Sequence, residues 1–244
     1  IIFVLPLYLI TALGLDVTRA GLVLAAMAVG AFLSGAAARH LAARFGAPGT
    51  VLIGLGLEVA GVLALALLLG PTTPGWLIAI PLTVYGLGLG LASSQLTGTV
   101  LQDIPVDISG QGSATQSTVR QSGSALGTAF AGATLSISLA LTLPAALAQA
   151  GLTGTEADSL ADATRQSAGT TIMQLREQGN HSSLGDQTAT AVDALTGGFV
   201  DATRWALLIA TVFLALGFIG ALRLRRASVV TPINPSAQQE AHPS

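Results

Sequence analysis

Glu58 is the only acid set deep within a long apolar stretch of this chain. It stands about eight residues, or roughly 12 Å by helix rise, from the start of the apolar segment 50–69. A charge at the centre of a bilayer costs at least about 3 kcal/mol on insertion scales. Three readings are open for Glu58: an ion pair, with Arg39 as the partner, a proton carrier, or a lipid-facing group that is neutral or snorkels. Arg120 stands near the start of another apolar segment, after Asp103 and Asp107. Taken by itself it is one more charge that sets topology. Tyr8 and Gln95 are polar groups inside apolar segments, placed either to meet a small molecule or to make packing contacts. His40, His181 and His242 are scattered without metal-ligand spacing, and cysteine is absent. No Ser/His/Asp set, paired acids or phosphate loop stands out, so the sequence points to no enzyme, no metal and no bound cofactor.

The elements that carry these residues are apolar runs. Uncharged stretches cover Ile1–Leu15, Ala20–Ala38, Val59–Gln102, Gln121–Thr155 and Trp205–Leu222, and a shorter one covers Phe45–Leu57. A helix needs about 20 apolar residues to cross roughly 30 Å of hydrocarbon. Only 9% of the 244 residues are charged, against about 25% in a soluble domain. An all-α polytopic membrane protein is expected, with spans near 1–13, 20–39, 50–69, 76–101, 123–143 and 203–222. The net charge of −2 leaves no basic field for nucleic acid. The chain begins with Ile1 inside an apolar run, which reads as a piece of a longer protein cut within its first helix.

All ten basic residues are Arg. Arg39, Arg44, Arg120, Arg223, Arg225 and Arg226 fall on one side of the expected topology. By the positive-inside rule that side is cytoplasmic. The polar segment 144–202 then faces outward, and the tail 227–244, rich in Pro, Ser and Gln, is a disordered cytoplasmic end. Within the outer segment, Thr155–Asp158 has capping-box spacing. Leu160, Ala163, Ile172 and Leu175 are expected to share a helical face, and Gly197-Gly198 to break a second weak helix before the last span. The segment reads as a packed cap or as a binding domain. Gly86/Gly90 and Gly123/Gly127 have the spacing that lets membrane helices approach closely. Pro6 and Pro81 permit kinks within their spans.

Four stretches carry a family resemblance. They are Phe3-Val-Leu-Pro6-Leu-Tyr8-Leu followed by Ala20-Gly21-Leu22, then Leu41-Ala-Ala-Arg44-Phe-Gly46, then Gly86-Leu-Gly88-Leu-Gly90, and last Ile104-Pro105 with Gly110 and Ser117-Thr-Val-Arg120-Gln-Ser-Gly123-Ser-Ala-Leu-Gly127. Together they resemble the C-terminal half of a major facilitator superfamily transporter, and more narrowly its fourteen-helix drug:proton antiporter branch. The loop motif departs from the family pattern at Ala43, where an acid is usual, and at Ala47 and Pro48, where basic residues are usual.

The resemblance implies a six-helix lobe built of two inverted three-helix repeats. It implies export of small amphipathic organic compounds by alternating access, driven by the proton gradient, from a cell membrane. The missing N-terminal lobe and the lipid bilayer would be its partners. Tyr8 and Gln95 would lie in cavity-lining spans. Arg44 and Gly46 would belong to a gating loop, and Arg120, Gly123 and Gly127 to a gating or structural motif. Other readings are export of a lipid, amino acid or metabolite, or a polytopic membrane protein that does not transport.

Overall fold

The computed structural model describes the backbone of residues 1–101 and 109–230, and side chains of 1–95 and 109–223. The described residues form helices and turns, with no strand among them. The chain opens on a short helix, α1 (Val4–Leu7), that continues as a π-helical stretch, Tyr8–Ala12. α2 (Val17–Leu68) follows, then α3 (Gly75–Leu101) and α4 (Ser109–Gln149). Two short helices, α5 (Thr155–Gln166) and α6 (Thr170–Gln178), precede the long α7 (Thr188–Val230).

α2 starts where Asp16 accepts a hydrogen bond from the Arg19 amide at 2.9 Å. It is two arms, residues 17–45 and 47–68, separated at Gly46. Gly46 has φ 74° and ψ 163°, a conformation that favours glycine. Pro48 lies in the first turn of the second arm, where its missing N–H costs nothing. The expected link 40–49 therefore narrows to a tight reversal, because helix continues up to Gly46 and resumes at once after it. Among the described residues, four helices are long and apolar enough to cross a membrane. One of these is α2, whose two arms each have the length for a crossing.

α3 lies between the two arms and packs through missing side chains. A Cβ on Gly30 would overlap the Thr83 carbonyl, and one on Gly86 would overlap that of Met27. On the other arm, a Cβ on Gly54 would lie 2.7 Å from the Ala92 nitrogen, and one on Gly61 2.8 Å from that of Tyr85. Along the first arm the contacts advance with α3, from Val23 at Gly75 through Met27 at Gly86 to Ala31 and Ser34 at Gly90, whereas on the second arm they run in reverse, so the arms are antiparallel. Close backbone approach is how helices gain dispersion energy where lipid removes the hydrophobic drive. Gly86 and Gly90 thus pack as their spacing suggests.

α4 and α7 are antiparallel neighbours. Phe130 and Phe213 meet edge to face at 4.7 Å, and the Thr142 hydroxyl donates to the Gly198 carbonyl at 2.8 Å. The 41 and 43 residues of these helices span about 60 Å each, more than a bilayer needs. Helix continues through Pro144 and through Gly197-Gly198, so the expected break before the last span is absent. Gly198 serves contact instead: a Cβ there would lie 3.2 Å from Ala146, Leu143 and the Thr142 carbonyl. The polar segment expected at 144–202 shrinks accordingly to the stretch between Gln149 and Thr188.

That stretch forms a cap on one end of the bundle. The capping box at Thr155 does not form. Gly154 is the N-cap, and no side chain bonds the free amides. Ile172 and Leu175 are buried and Leu160 is half-buried, as expected, but Ala163 is exposed; Ala161 and Thr164 take the inward positions of α5. At the other end, α7 carries helix through residues 227–230 of the expected tail. The rest of the tail, with Asp103 and Asp107, lies outside the described residues.

Candidate functional site

The residues singled out in the sequence do not converge on one pocket. They divide between the cap end, the interior and the opposite end, which carries Arg44.

At the cap end, Tyr8 is fully buried. Its hydroxyl donates to the Gly70 carbonyl at 2.6 Å and accepts from the Gly70 amide at 3.3 Å. The phenol is committed to the turn between α2 and α3, which accounts for a polar group in this apolar span without a ligand. One residue away, Arg204 of α7 donates from Nε to the Leu69 carbonyl at 2.8 Å and from Nη1 to Asp201 at 3.4 Å. A second arginine, Arg176 of α6, donates to the Thr11 carbonyl at 3.5 Å and to the Thr196 hydroxyl at 3.4 Å. Sequence reasoning counted Arg176 and Arg204 only as charges. Their one local signal is that they border apolar faces in segments otherwise read as polar. Trp76 and Trp205 are exposed near this end, as interfacial anchors are.

In the interior, Glu58 is 7% exposed and packs against α3, where its Cγ would lie 2.9 Å from a Cβ on Gly88. Arg39 is exposed, and no ion pair joins it to Glu58 among the described residues. Of the three readings open for Glu58, the ion pair with Arg39 is the one these positions do not support. Those two residues are 19 positions apart on separate arms of α2. Glu58 faces α3, whereas Arg39 points away from the bundle's interior.

At the opposite end, the Arg44 guanidinium sits 5.5 Å from the centre of the Phe45 ring. The Gly46 carbonyl accepts from the Thr50 hydroxyl at 2.9 Å, securing the reversal. Gln95 is half-buried on α3 and reaches the Ser94 hydroxyl at 3.5 Å.

Arg120, Gly123 and Gly127 lie on the part of α4 nearest this end. Residues 113–130 are exposed on every side of the helix, with Gln116 alone half-buried. A Cβ at Gly123 or Gly127 would meet nothing within 4 Å. Their spacing therefore makes no helix contact among the described residues, unlike Gly86 and Gly90. The surface they share with Arg120 is rich in Ser, Thr and Gln: Ser113, Ser117, Gln121, Ser124 and Thr128 are all exposed. Thr118 and Thr128 turn their hydroxyls back to carbonyls of their own helix at 2.9 Å, which a solitary helix allows. The arrangement is a long helix whose polar half is uncovered, joined to a bundle that is otherwise apolar.

The sequence model described as the Major Facilitator Superfamily matches residues 1–128. The riboflavin transporter RibZ of Clostridioides difficile (strain 630) is 31% identical over 128 residues, which are 52% of this chain and 28% of that protein. The match thus covers less than a third of the relative's length. No solved structure matches.

Proposed function

The chain belongs to the Major Facilitator Superfamily, and from that premise we propose that it is the C-terminal lobe of an alternating-access transporter. The observation that carries the reading is the uncovered half of α4. In hydrocarbon, a guanidinium, a glutamine and a row of hydroxyls are costly unless protein or a water-filled cavity covers them. A first lobe packed on residues 113–130 would cover this surface and enclose a cavity against it. Gly123 and Gly127 would let the facing helix approach closely. Gln95, at the same end of α3, would lie at the cavity margin. Arg120 would bond carbonyls or acids of the facing loop when that end is closed, a task suited to a planar guanidinium.

The proposed substrate class is amphipathic organic compounds, exported from the cell in exchange for protons. The spacing of Pro105, Gly110, Arg120, Gly123 and Gly127, which resembles the drug:proton antiporter pattern, supports that class. A metabolite carrier is the second reading, favoured by the relative that is a riboflavin transporter. Arg placement supports a cell-membrane orientation with the Arg44 end and the C-terminus in the cytoplasm.

The test is transport by the full-length protein in cells stripped of efflux pumps, offered an amphipathic fluorescent dye or riboflavin. Dye export that stops when a protonophore collapses the gradient is the expected result. Riboflavin movement without dye export would replace the drug reading with the metabolite one. Movement of neither, with the protein present in the membrane, would remove both.

A further inference from the structure

Among the polar ties at the cap end, three reach the first helix or the turn after α2, and they differ in kind. Tyr8 to Gly70, at 2.6 Å, joins the π-helical stretch to the turn after α2. Arg204 to Leu69, at 2.8 Å, joins α7 to that same turn and is backed by Asp201. Both are short. The third runs from Arg176 to Thr11 and Thr196, at 3.5 and 3.4 Å, and joins α6 to the end of the π-helical stretch and to α7. Its acceptors are neutral, its guanidinium belongs to an exposed residue, and it is in no ion pair among the described residues. It is the weakest of the three and the easiest to release.

What this tie holds is unusual backbone. The Leu13 amide reaches back five residues to Tyr8 and the Leu15 amide six residues to Leu9, so the last turn before Gly14 is wider than an α-helix. The Thr11 carbonyl falls in that last turn, where helix carbonyls run out of helical partners. Thr11 is 2% exposed, so Arg176 supplies a donor that water does not. The guanidinium also lies directly over Gly14, where a Cβ would come within 2.9 Å of Nη1. Beside it, Gly169, at the turn between α5 and α6, presses against Thr11 and Phe199 so closely that a Cβ would overlap the Thr11 methyl. π-helical turns are rare and recur at functional sites.

We propose that Arg176 is a positioning residue: it latches the cap onto the π-helical end of α1, and its release frees that end to move while the Tyr8 and Arg204 ties stay closed. The proposal adds a moving part to the transporter reading but does not depend on any substrate.

The experiment uses the full-length protein in lipid nanodiscs. Ala12→Cys reports on the latched end. Ala66→Cys reports on the neighbouring buried wall of α2, which the Tyr8 and Arg204 ties serve. Both positions are 3% exposed. Thiol labelling rates are read on the peptides that contain each cysteine, against backgrounds of Arg176, Arg176→Ala, Arg176→Lys and Thr196→Val. The expected result is about tenfold faster labelling at position 12 in Arg176→Ala, the effect of losing a net hydrogen bond or so. A smaller rise is expected in Arg176→Lys and Thr196→Val, with position 66 unchanged throughout. Unchanged labelling at position 12 in Arg176→Ala would overturn the latch. Equal acceleration at positions 12 and 66 would overturn it too, since that is general loosening. Failure of dye and riboflavin transport alone would bear on the transporter reading and leave the labelling result standing.

Discussion

Tyr8 and Gly70 lie 62 residues apart in the chain, yet a 2.6 Å hydrogen bond joins the phenol of one to the carbonyl of the other. The bond ties the first helix to the turn between α2 and α3. Beside it the Leu69 carbonyl receives Arg204 from α7. The first helix and α7, from opposite ends of the chain, thus donate to two adjacent carbonyls.

Tyr8→Phe removes that donor and leaves the half-buried Gly70 carbonyl with only the long bond from the Thr73 amide, at 3.4 Å. The expected loss is about 1 kcal/mol of stability, that of a net hydrogen bond, read as a lower unfolding midpoint of the purified protein. Substrate KM should stay as in the parent. A changed KM at unchanged stability would mean that the hydroxyl serves a ligand instead.

Glycines with the same spacing should respond in opposite ways. Gly86→Val drives a branched side chain into the Met27 carbonyl, so the two arms of α2 cannot both stay on α3. Loss of folded protein from the membrane is expected, as for severe overpacking. Gly127→Val meets no neighbour among the described residues and should leave the lobe's fold intact. It should lower export in the full-length transporter, because the facing lobe is the proposed neighbour. Protein abundance by blotting, set against dye efflux, separates the two effects.

Arg120 is exposed and stands on the uncovered half of α4. Arg120→Ala should therefore insert and fold normally but lose most export, and Arg120→Lys should lose less. The check is efflux corrected for protein in the membrane. Parent-level efflux by Arg120→Ala would reduce Arg120 to a topology charge.

Arg39 and Glu58 should be independent. A double-mutant cycle with Arg39→Ala and Glu58→Gln, read as unfolding free energy, should give a coupling energy within about 0.5 kcal/mol of zero. Glu58→Gln alone should be mild, since the amide keeps the shape that packs against Gly88. A larger Glu58→Gln loss in proton-driven efflux than in stability would instead give the carboxyl a part in coupling.

Single cysteines can test orientation, since this chain has none. In intact cells, an impermeant thiol reagent should label position 170 and spare position 44. The reverse pattern would invert the proposed orientation.

Apolar length and charge scarcity settled the membrane class and the places of its helices, because a helix in lipid must satisfy its own backbone and needs a set length to cross. Apolar runs show where helix must be but do not show where it stops. Beyond the bilayer, α4 and α7 are held by each other, so they pass through Pro144, Gly197 and Gly198, which read locally as breaks. Glycine spacing has the same ambiguity. Gly86/Gly90 and Gly123/Gly127 look alike in sequence, and only the tertiary arrangement shows that the first pair is packed against α2 while the second is exposed. The partners of Tyr8, Arg176 and Arg204 were illegible for a simpler reason. Each bonds a backbone carbonyl, and every residue has one, so no side-chain type marks the acceptor until the fold brings it near.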